Sequence, residues 1–405
     1  MSAARLASNA RILIACCALL LAIPAIVGFF FTDHEARGRW EKRDLAAIPA
    51  VADESPYFEG VSAFVDDHIG LAVPLNQLYR RLLFFGFRDS PIDRVTVGAD
   101  GFAFLNSHDD TRQYQNFDLL CFDGQDNALV ADRVALLARL YDLFASRGYD
   151  VSIGVAISKP VLYPEKLPGN LPQRYLEACP NYRETANVPV QVRDALLASG
   201  RTIHYPLEQF VEARNEDHFF PKNNFHWNGR SAHLFARSLF EARQFGVPED
   251  FSAGARLISV RADMKYLGFD RNATVWRFPY RGFGVTQQFR EPEFIREHFP
   301  GARDYSFFET ENPMTERRAL VLSNSFGRYL APHLAPAYRS LAQANLNHLR
   351  PREMRRFFDE FPPKIGATDI ILLIHDRALI DRWSLDDMIR ALEPDDGRRK
   401  PRRRR

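Results

Sequence analysis

NALVADRVALLARLYDLFASRGYDVSIGVAI, residues 127–157, contains the pattern on which the fold reading rests. Val130, Val134, Leu137, Tyr141 and Phe144 recur at spacings of three and four, the period of a helix with one buried face. Gly148 follows as a stop, because glycine enters the left-handed backbone region without steric cost. VSIGVAI (151–157) is then a nearly continuous apolar run, as expected of a parallel strand covered on both faces.

The same unit recurs outward from this point. VQVRDALLASG (190–200) reads as a helix stopped by Gly200, and Thr202 to Tyr205 as a short strand. RALVLS (318–323) and TDIILLI (368–374) are two further buried-strand candidates, with a helix over Arg352 to Phe361 between them. Helix and strand in alternation predict an α/β fold: a mostly parallel sheet with helices on both faces. A hairpin is expected where Val95–Val97 and Phe102–Leu105 flank Gly98-Ala99-Asp100-Gly101. YFEGVSAFVDDHIGLAVPLNQLYRRLLFFGF (57–87) has helical periodicity, and the Phe/Arg/Tyr-rich stretch near 255–315, with a strand-like Ala273–Phe278, reads as an insertion.

Composition narrows the function classes. The 405 residues are 46% hydrophobic and 26% charged, enough apolar material for a sizeable core. The net charge of +2 includes seven basic residues at 398–400 and 402–405, so without them the body sits near −5. That charge excludes a nucleic-acid-binding body. The Arg-rich tail either holds anionic lipid, an acidic glycan or a partner, or is a passive end. ILIACCALLLAIPAIVGFFF (12–31) is twenty residues without a charge, long enough at about 1.5 Å per residue to cross a hydrocarbon core of about 30 Å. Its flanks favour an uncleaved anchor over a cleaved signal. The expected organisation is therefore a cytoplasmic N-terminus and transmembrane anchor over 1–35, a globular domain over 36–385 and a basic tail over 386–405. That predicts a single-pass inner-membrane protein with its domain in the periplasm. Cys121 and Cys179 either pair or remain buried thiols. No cysteine or histidine spacing suggests a metal, and no cofactor is expected.

Two segments carry the chemistry. FPKNNFHWNGRSAHLFARSLF (220–240) places His226 and Trp227 before an amphipathic helix expected to start near Asn228, a suitable N-cap. The positive end of that helix would favour a neutral imidazole able to act as a base. In LVLSNSFGRYL (320–330) a buried strand ends at the turn Ser323-Asn324-Ser325-Phe326-Gly327, which puts Ser325 on the ligand-facing edge of an α/β sheet. A serine nucleophile needs a base within hydrogen-bond reach and a group that orients it. His226 is the candidate base and Asn224 the candidate orienter. Asp217 and Asp376 are the alternative carboxylates. Lys159 follows strand 151–157 and either meets substrate carboxylates or is solvated. Trp227 and Tyr163 either stack on sugar rings or pack in the core.

NFHWNGRSA (224–232) resembles the Asp-x-His-Trp-Asn-x-x-Gly-Ala motif of the alginate O-acetylation family of AlgJ and AlgX, and SNSFG (323–327) resembles its Gly-Asp-Ser-Phe block. EKRDLAAIP (41–49), DDHIGL (66–71), VGADGFAFL (97–105) and AISKPVLYPEKLP (156–168) are similar to other blocks of that family, in the same order. The resemblance implies an SGNH-hydrolase-like (flavodoxin-like) domain moving acetyl groups onto an exported polysaccharide. The donor would be a membrane-bound O-acyltransferase. Ser325 would be the nucleophile, His226 the base, backbone N–H groups around Ser325 part of the oxyanion hole, and Asn324 a substrate contact. The chain departs from the family at Asn224 and Asn324, where the motifs have Asp. Replacing a triad acid by its amide costs on the order of 10⁴ in rate where it selects the wrong tautomer. Besides this enzyme, a glycan-binding or assembly protein of the same fold and a lipase-like esterase are the alternatives.

Overall fold

The structure, a computed structural model, describes residues 44–49, 57–107 apart from 69 and 71, 114–121, 127–184, 187–262, 272–288, 293–299, 304–382 and 384–393, with short pieces between 13 and 38. The chain divides into two compact units, Met1–Pro91 with Leu267–Phe269, and Ile92–Tyr266 with Asp270–Arg405. In the first, helices span Tyr57–His68 and Ala72–Arg81, and the second continues into a π-helical turn at Leu82–Phe87. Ala46 N–H donates to the Asp67 carboxylate at 2.6 Å.

One sequence expectation is overturned. Among the described residues no helix is long and apolar enough to cross a membrane, against the single-pass inner-membrane placement. Half of the 12–31 stretch, and the whole basic tail from 394, lie outside the described residues.

The second unit opens with the predicted hairpin, β1 (Val95–Val97) and β2 (Ala103–Leu105). Its central sheet is built from β3 (Asp150–Ala156), β4 (Ile203–His204), β7 (Val285–Gln288), β8 (Ser306–Thr310), β9 (Thr315–Ser323), β10 (Tyr338–Asn345) and β11 (Asp369–His375). The strand order is β4-β3-β11-β9-β10-β8-β7. The first five are mutually parallel, and β8 and β7 complete one edge antiparallel. A separate antiparallel hairpin joins β5 (Arg256–Arg261) to β6 (Asn272–Arg277).

Helix α1 (Asn127–Ala145) ends as predicted at Gly148, whose φ is +88°. It packs with α2 (Val188–Ala198) and α6 (Leu385–Leu392), and α6 packs in turn on α5 (Pro351–Lys364). Helices α3 (Arg230–Ala242) and α4 (Gly327–Leu334) pack on each other. Gly154 of β3 lets α3 approach closely, since a Cβ there would lie 3.0 Å from the Phe235 ring. Val151, Ile153, Leu320, Leu322, Ile370 and Leu372 are almost completely buried, so the apolar strands form the core that the sequence required. Cys121 and Cys179 are disulfide-bonded, with Cα atoms 4.4 Å apart.

Candidate active site

Strand register brings the carboxyl ends of the four central parallel strands into line. Ser323 of β9 pairs with Asn345 of β10 and with Leu373 of β11, and His375 of β11 pairs with Ala156 of β3. Above these ends lies a cavity of about 500 Å³, lined among others by His226, Asn324, Ser325, His375 and Arg377. Open α/β sheets bind ligands at this edge, and the volume suits a small-molecule site.

The serine turn is built by its neighbours. Ser323 Oγ takes a hydrogen bond from Gln343 Nε2 (3.0 Å) and donates to Ala344 O (3.3 Å), anchoring the strand end to β10. Asn324 Oδ1 accepts the Phe326 N–H at 2.9 Å, and Asn324 O accepts the Gly327 N–H at 3.1 Å. Gly327 is obligatory for a packing reason, because a Cβ would come within 1.9 Å of Ser323 Oγ. The turn leaves Ser325 partly exposed to the cavity. With the Phe326 and Gly327 amides engaged on Asn324, the turn's remaining donors are the Ser325 N–H and the Asn324 side-chain amide.

His226 Nε2 lies 2.8 Å from Ser325 Oγ. Its ring is stacked on Tyr329 (centroids 5.1 Å apart) and edge-on to Phe326 (4.8 Å), which fixes its plane. The helix behind it begins later than expected: α3 starts at Arg230, with Gly229 rather than Asn228 in the capping position. Gly229 has φ +56°, and a Cβ there would meet Trp276 O at 2.4 Å, so the backbone approaches β6 too closely for any side chain.

Three expected substrate contacts are buried. Lys159 is 4% exposed, and its Nζ lies within hydrogen-bond distance of four carbonyls: Ala103 (3.1 Å), Pro221 (2.8 Å), Lys222 (2.7 Å) and Asn224 (2.9 Å). It ties the hairpin to the loop that leads into His226. Trp227 is fully buried against Phe235 and Phe326, and its Nε1 donates to Phe326 O at 3.3 Å, a strut between the histidine and serine loops. Tyr163 is buried, and its hydroxyl donates to Arg214 O at 3.0 Å. Burial also raises its pKa. Lys159 still lines the cavity at the serine and Tyr163 a second cavity, while Trp227 lines neither.

Asn224 is buried in the loop beneath His226. Of the two alternative carboxylates, Asp217 is exposed and lines a different cavity, while Asp376 is fully buried behind the site. Asp376 accepts the Ser158 N–H (2.8 Å), the Ser158 hydroxyl and the Arg377 N–H (2.8 Å), and burial raises its pKa to about 7. Beside it stands His375, which the sequence reading missed because it sits at the end of a strand with no motif around it. The Arg377 N–H donates to His375 Nδ1 at 3.2 Å. Asp376 Oδ1 lies 3.0 Å from the same Nδ1 and also takes the Arg377 N–H, and His375 Nε2 lies 3.4 Å from Ser158 Oγ. Burial first, then the charges of Arg377 and His226, push the His375 pKa down to about 3. The cavity thus holds one imidazole on the serine and a second, neutral one, against the Phe326 ring at 5.1 Å. Among the described residues there is no cluster of metal-ligating side chains.

No family model and no curated protein matches the sequence. Solved structures that it resembles include the O-acetyltransferase domain of Pseudomonas putida AlgJ (15% identity, covering 76% of this chain and 96% of that one, TM-score 0.43). Bacillus cereus PatB1 with a sulfonyl adduct is 15% identical, covering 64% and 91% at TM-score 0.44. Pseudomonas aeruginosa AlgX is 14% identical, covering 75% and 67% at TM-score 0.42.

Proposed function

We propose that this chain moves acetyl groups between oxygen atoms through an acetyl-Ser325 intermediate, with hydroxyls of a polysaccharide as acceptors. The observation that carries the reading is the 2.8 Å contact of His226 Nε2 with Ser325 Oγ, open to a cavity at the carboxyl ends of the parallel strands. His226 takes the Ser325 proton as Oγ attacks the acetyl carbonyl carbon. The tetrahedral intermediate collapses by expelling the donor's oxygen, which leaves with the proton from His226. A hydroxyl of the acceptor then attacks acetyl-Ser325, passes its proton to His226, and leaves as the ester while Ser325 regains its proton. With water as acceptor the same steps hydrolyse the ester.

Charge developing on the carbonyl oxygen would be met by the Ser325 N–H and the Asn324 side-chain amide. The cavity also carries the half-buried Asn347, whereas the lining amides of Asn116 and Asn345 are spent on Leu105, Arg377, Asp304 and the Asn347 N–H. Amides both donate and accept, which suits a ligand whose edges are hydroxyl groups. The polysaccharide acceptor and a membrane-bound O-acyltransferase as acetyl donor are what the motif resemblance implies.

The competing reading, glycan binding without turnover, draws on Asn224 and Asn324. Asn324 weighs little in it, because its Oδ1 holds the turn through Phe326 N–H as an aspartate would. Asn224 remains, and the Tyr329 and Phe326 rings also hold the plane of His226. The test is turnover of an activated acetyl ester with soluble oligosaccharides as acceptors. Acetylated oligosaccharide formed by the wild type, and lost in both Ser325→Ala and His226→Ala, is the expected result. Equal product from wild type and Ser325→Ala would refute the enzyme reading, and oligosaccharide binding without product would favour the competing one.

A further inference from the structure

Behind the Ser325–His226 pair, the two helices that follow these residues are joined through a buried phenol. Tyr280 Oη lies 2.8 Å from His233 Nδ1 on α3 and 2.6 Å from His333 Nδ1 on α4. His233 Nε2 continues the chain to Ser252 Oγ at 2.8 Å, and the His233 ring lies parallel over Phe278 with centroids 3.8 Å apart. Tyr280, His233 and His333 are all buried, and none lines the cavity. Tyr280 also holds a left-handed backbone (φ +46°, ψ +42°), a conformation that a bulky residue keeps where its surroundings dictate it.

Proton counting makes the bridge directional. A phenol has one hydrogen, so it donates to one Nδ1 and accepts from the Nδ1–H of the other. The two imidazoles are therefore held in opposite states at Nδ1. Burial keeps both neutral, pushing His233 down to about 2 and His333 to about 3, and it raises the Tyr280 hydroxyl. Apolar helix contacts tolerate sliding and rotation, whereas a satisfied buried network of this kind fixes both. The helices it fixes are those of the reaction: α3 begins four residues after His226, and α4 two residues after Ser325.

We infer that Tyr280, by bridging His233 and His333, is a positioning residue that sets the spacing of α3 and α4 and through them the reach of His226 Nε2 to Ser325 Oγ. This rests on the catalytic reading above. Loss of the bridge acts on the chemical step and not on the cavity wall, so kcat falls while KM holds. A displacement of about 1 Å at reacting atoms costs up to about a hundredfold in rate.

The experiment compares Tyr280→Phe, His333→Asn and His333→Leu in the full chain. Asparagine keeps an amide near the Nδ1 position and leucine does not. The kcat of acetyl-ester turnover should fall about tenfold to a hundredfold in Tyr280→Phe with KM within about twofold, and His333→Asn should retain more activity than His333→Leu. A second readout needs no turnover: the NMR ring signals of His226 with and without Ser325→Ala. That substitution should move the His226 ring signals in the wild type, and the change should shrink in Tyr280→Phe. An undiminished Ser325–His226 coupling and unchanged kcat, with only the melting temperature lowered, would overturn the inference. If Tyr280→Phe does not fold, equal activity and coupling in His333→Asn and His333→Leu would overturn it. Failure of the catalytic reading looks different, because the wild type would then match Ser325→Ala in turnover.

Discussion

Lys159→Met separates a ligand-binding lysine from a buried strut. The ammonium has three hydrogens and four carbonyls in reach, all at 2.7–3.1 Å, and it is 4% exposed. Hydrogen bonds to a charged group contribute about 1.5–3 kcal/mol each, so three give a gross of about 4.5–9 kcal/mol. Desolvating the ammonium costs several kcal/mol, which methionine does not incur. The substitution also strands the carbonyls of Ala103, Pro221, Lys222 and Asn224, at about 1–3 kcal/mol for each that water does not reach. The net expectation is a loss of about 3–5 kcal/mol, in line with breaking a buried charged contact. With a urea slope of about 3 kcal/mol per molar, the unfolding midpoint falls by about 1–2 M. Urea titration of the full chain followed by tryptophan fluorescence reads this, with acetyl-ester kinetics on the folded variant alongside. Since three of the four carbonyls lie in the loop leading to His226, kcat should fall more than KM rises. A stability change below about 1 kcal/mol, with a large rise in KM alone, would refute the strut and restore Lys159 to the substrate.

Gly327→Ala forces a Cβ to within 1.9 Å of Ser323 Oγ, so the serine turn must shift. Melting temperature and acetyl-ester kcat should both fall, the latter by about a hundredfold for a shift of about 1 Å, and wild-type kinetics would show the contact to be wrong. Asp376, raised to about 7 by burial, binds its proton more tightly in the folded than in the unfolded chain. Its contribution to stability is thus fully present below the ordinary carboxylate pKa and is lost as pH rises from about 4 to about 7. Asp376→Asn should flatten the fall of the urea midpoint over that window, and an unchanged slope would contradict the burial argument. Non-reducing peptide mapping should recover Cys121 linked to Cys179, and Cys121→Ser should lower stability by about 4 kcal/mol on chain-entropy grounds. Recovery of both thiols free would contradict the pairing.

Most of the central sheet was legible because its strands carry an unambiguous signal. β3, β9 and β11 are apolar runs with turns or helices on either side, and Gly148 and Gly200 stop their helices with φ of +88° and +78°. β10, YRSLAQAN, escaped notice although it lies between β9 and β8, because Gln343 and Ser340 disguise it. Gln343 is fully buried, and its amide is spent on Ser306 and Ser323, partners 37 and 20 residues away. The serine and histidine motifs were visible as separate segments, but their 2.8 Å contact spans 99 residues and depends on helix packing. The burial of Lys159 was hidden for a related reason. A lysine after a parallel strand looks like a site cation until the 221–224 loop closes over it. His375 and the Tyr280 bridge had no local signal, since every partner that gives Tyr280 its role is at least 47 residues distant.

The central claim is that Ser325 takes an acetyl group with His226 as its base. Intact-mass and peptide-mapping analysis of the full chain, quenched early in reaction with an activated acetyl ester, tests it most directly. The wild type should carry one acetyl group on the Ser325 peptide, His226→Ala should accumulate it far more slowly, and Ser325→Ala should carry none. Acetyl groups spread over surface lysines at equal rates in all three proteins, with the Ser325 peptide unmodified, would contradict the account.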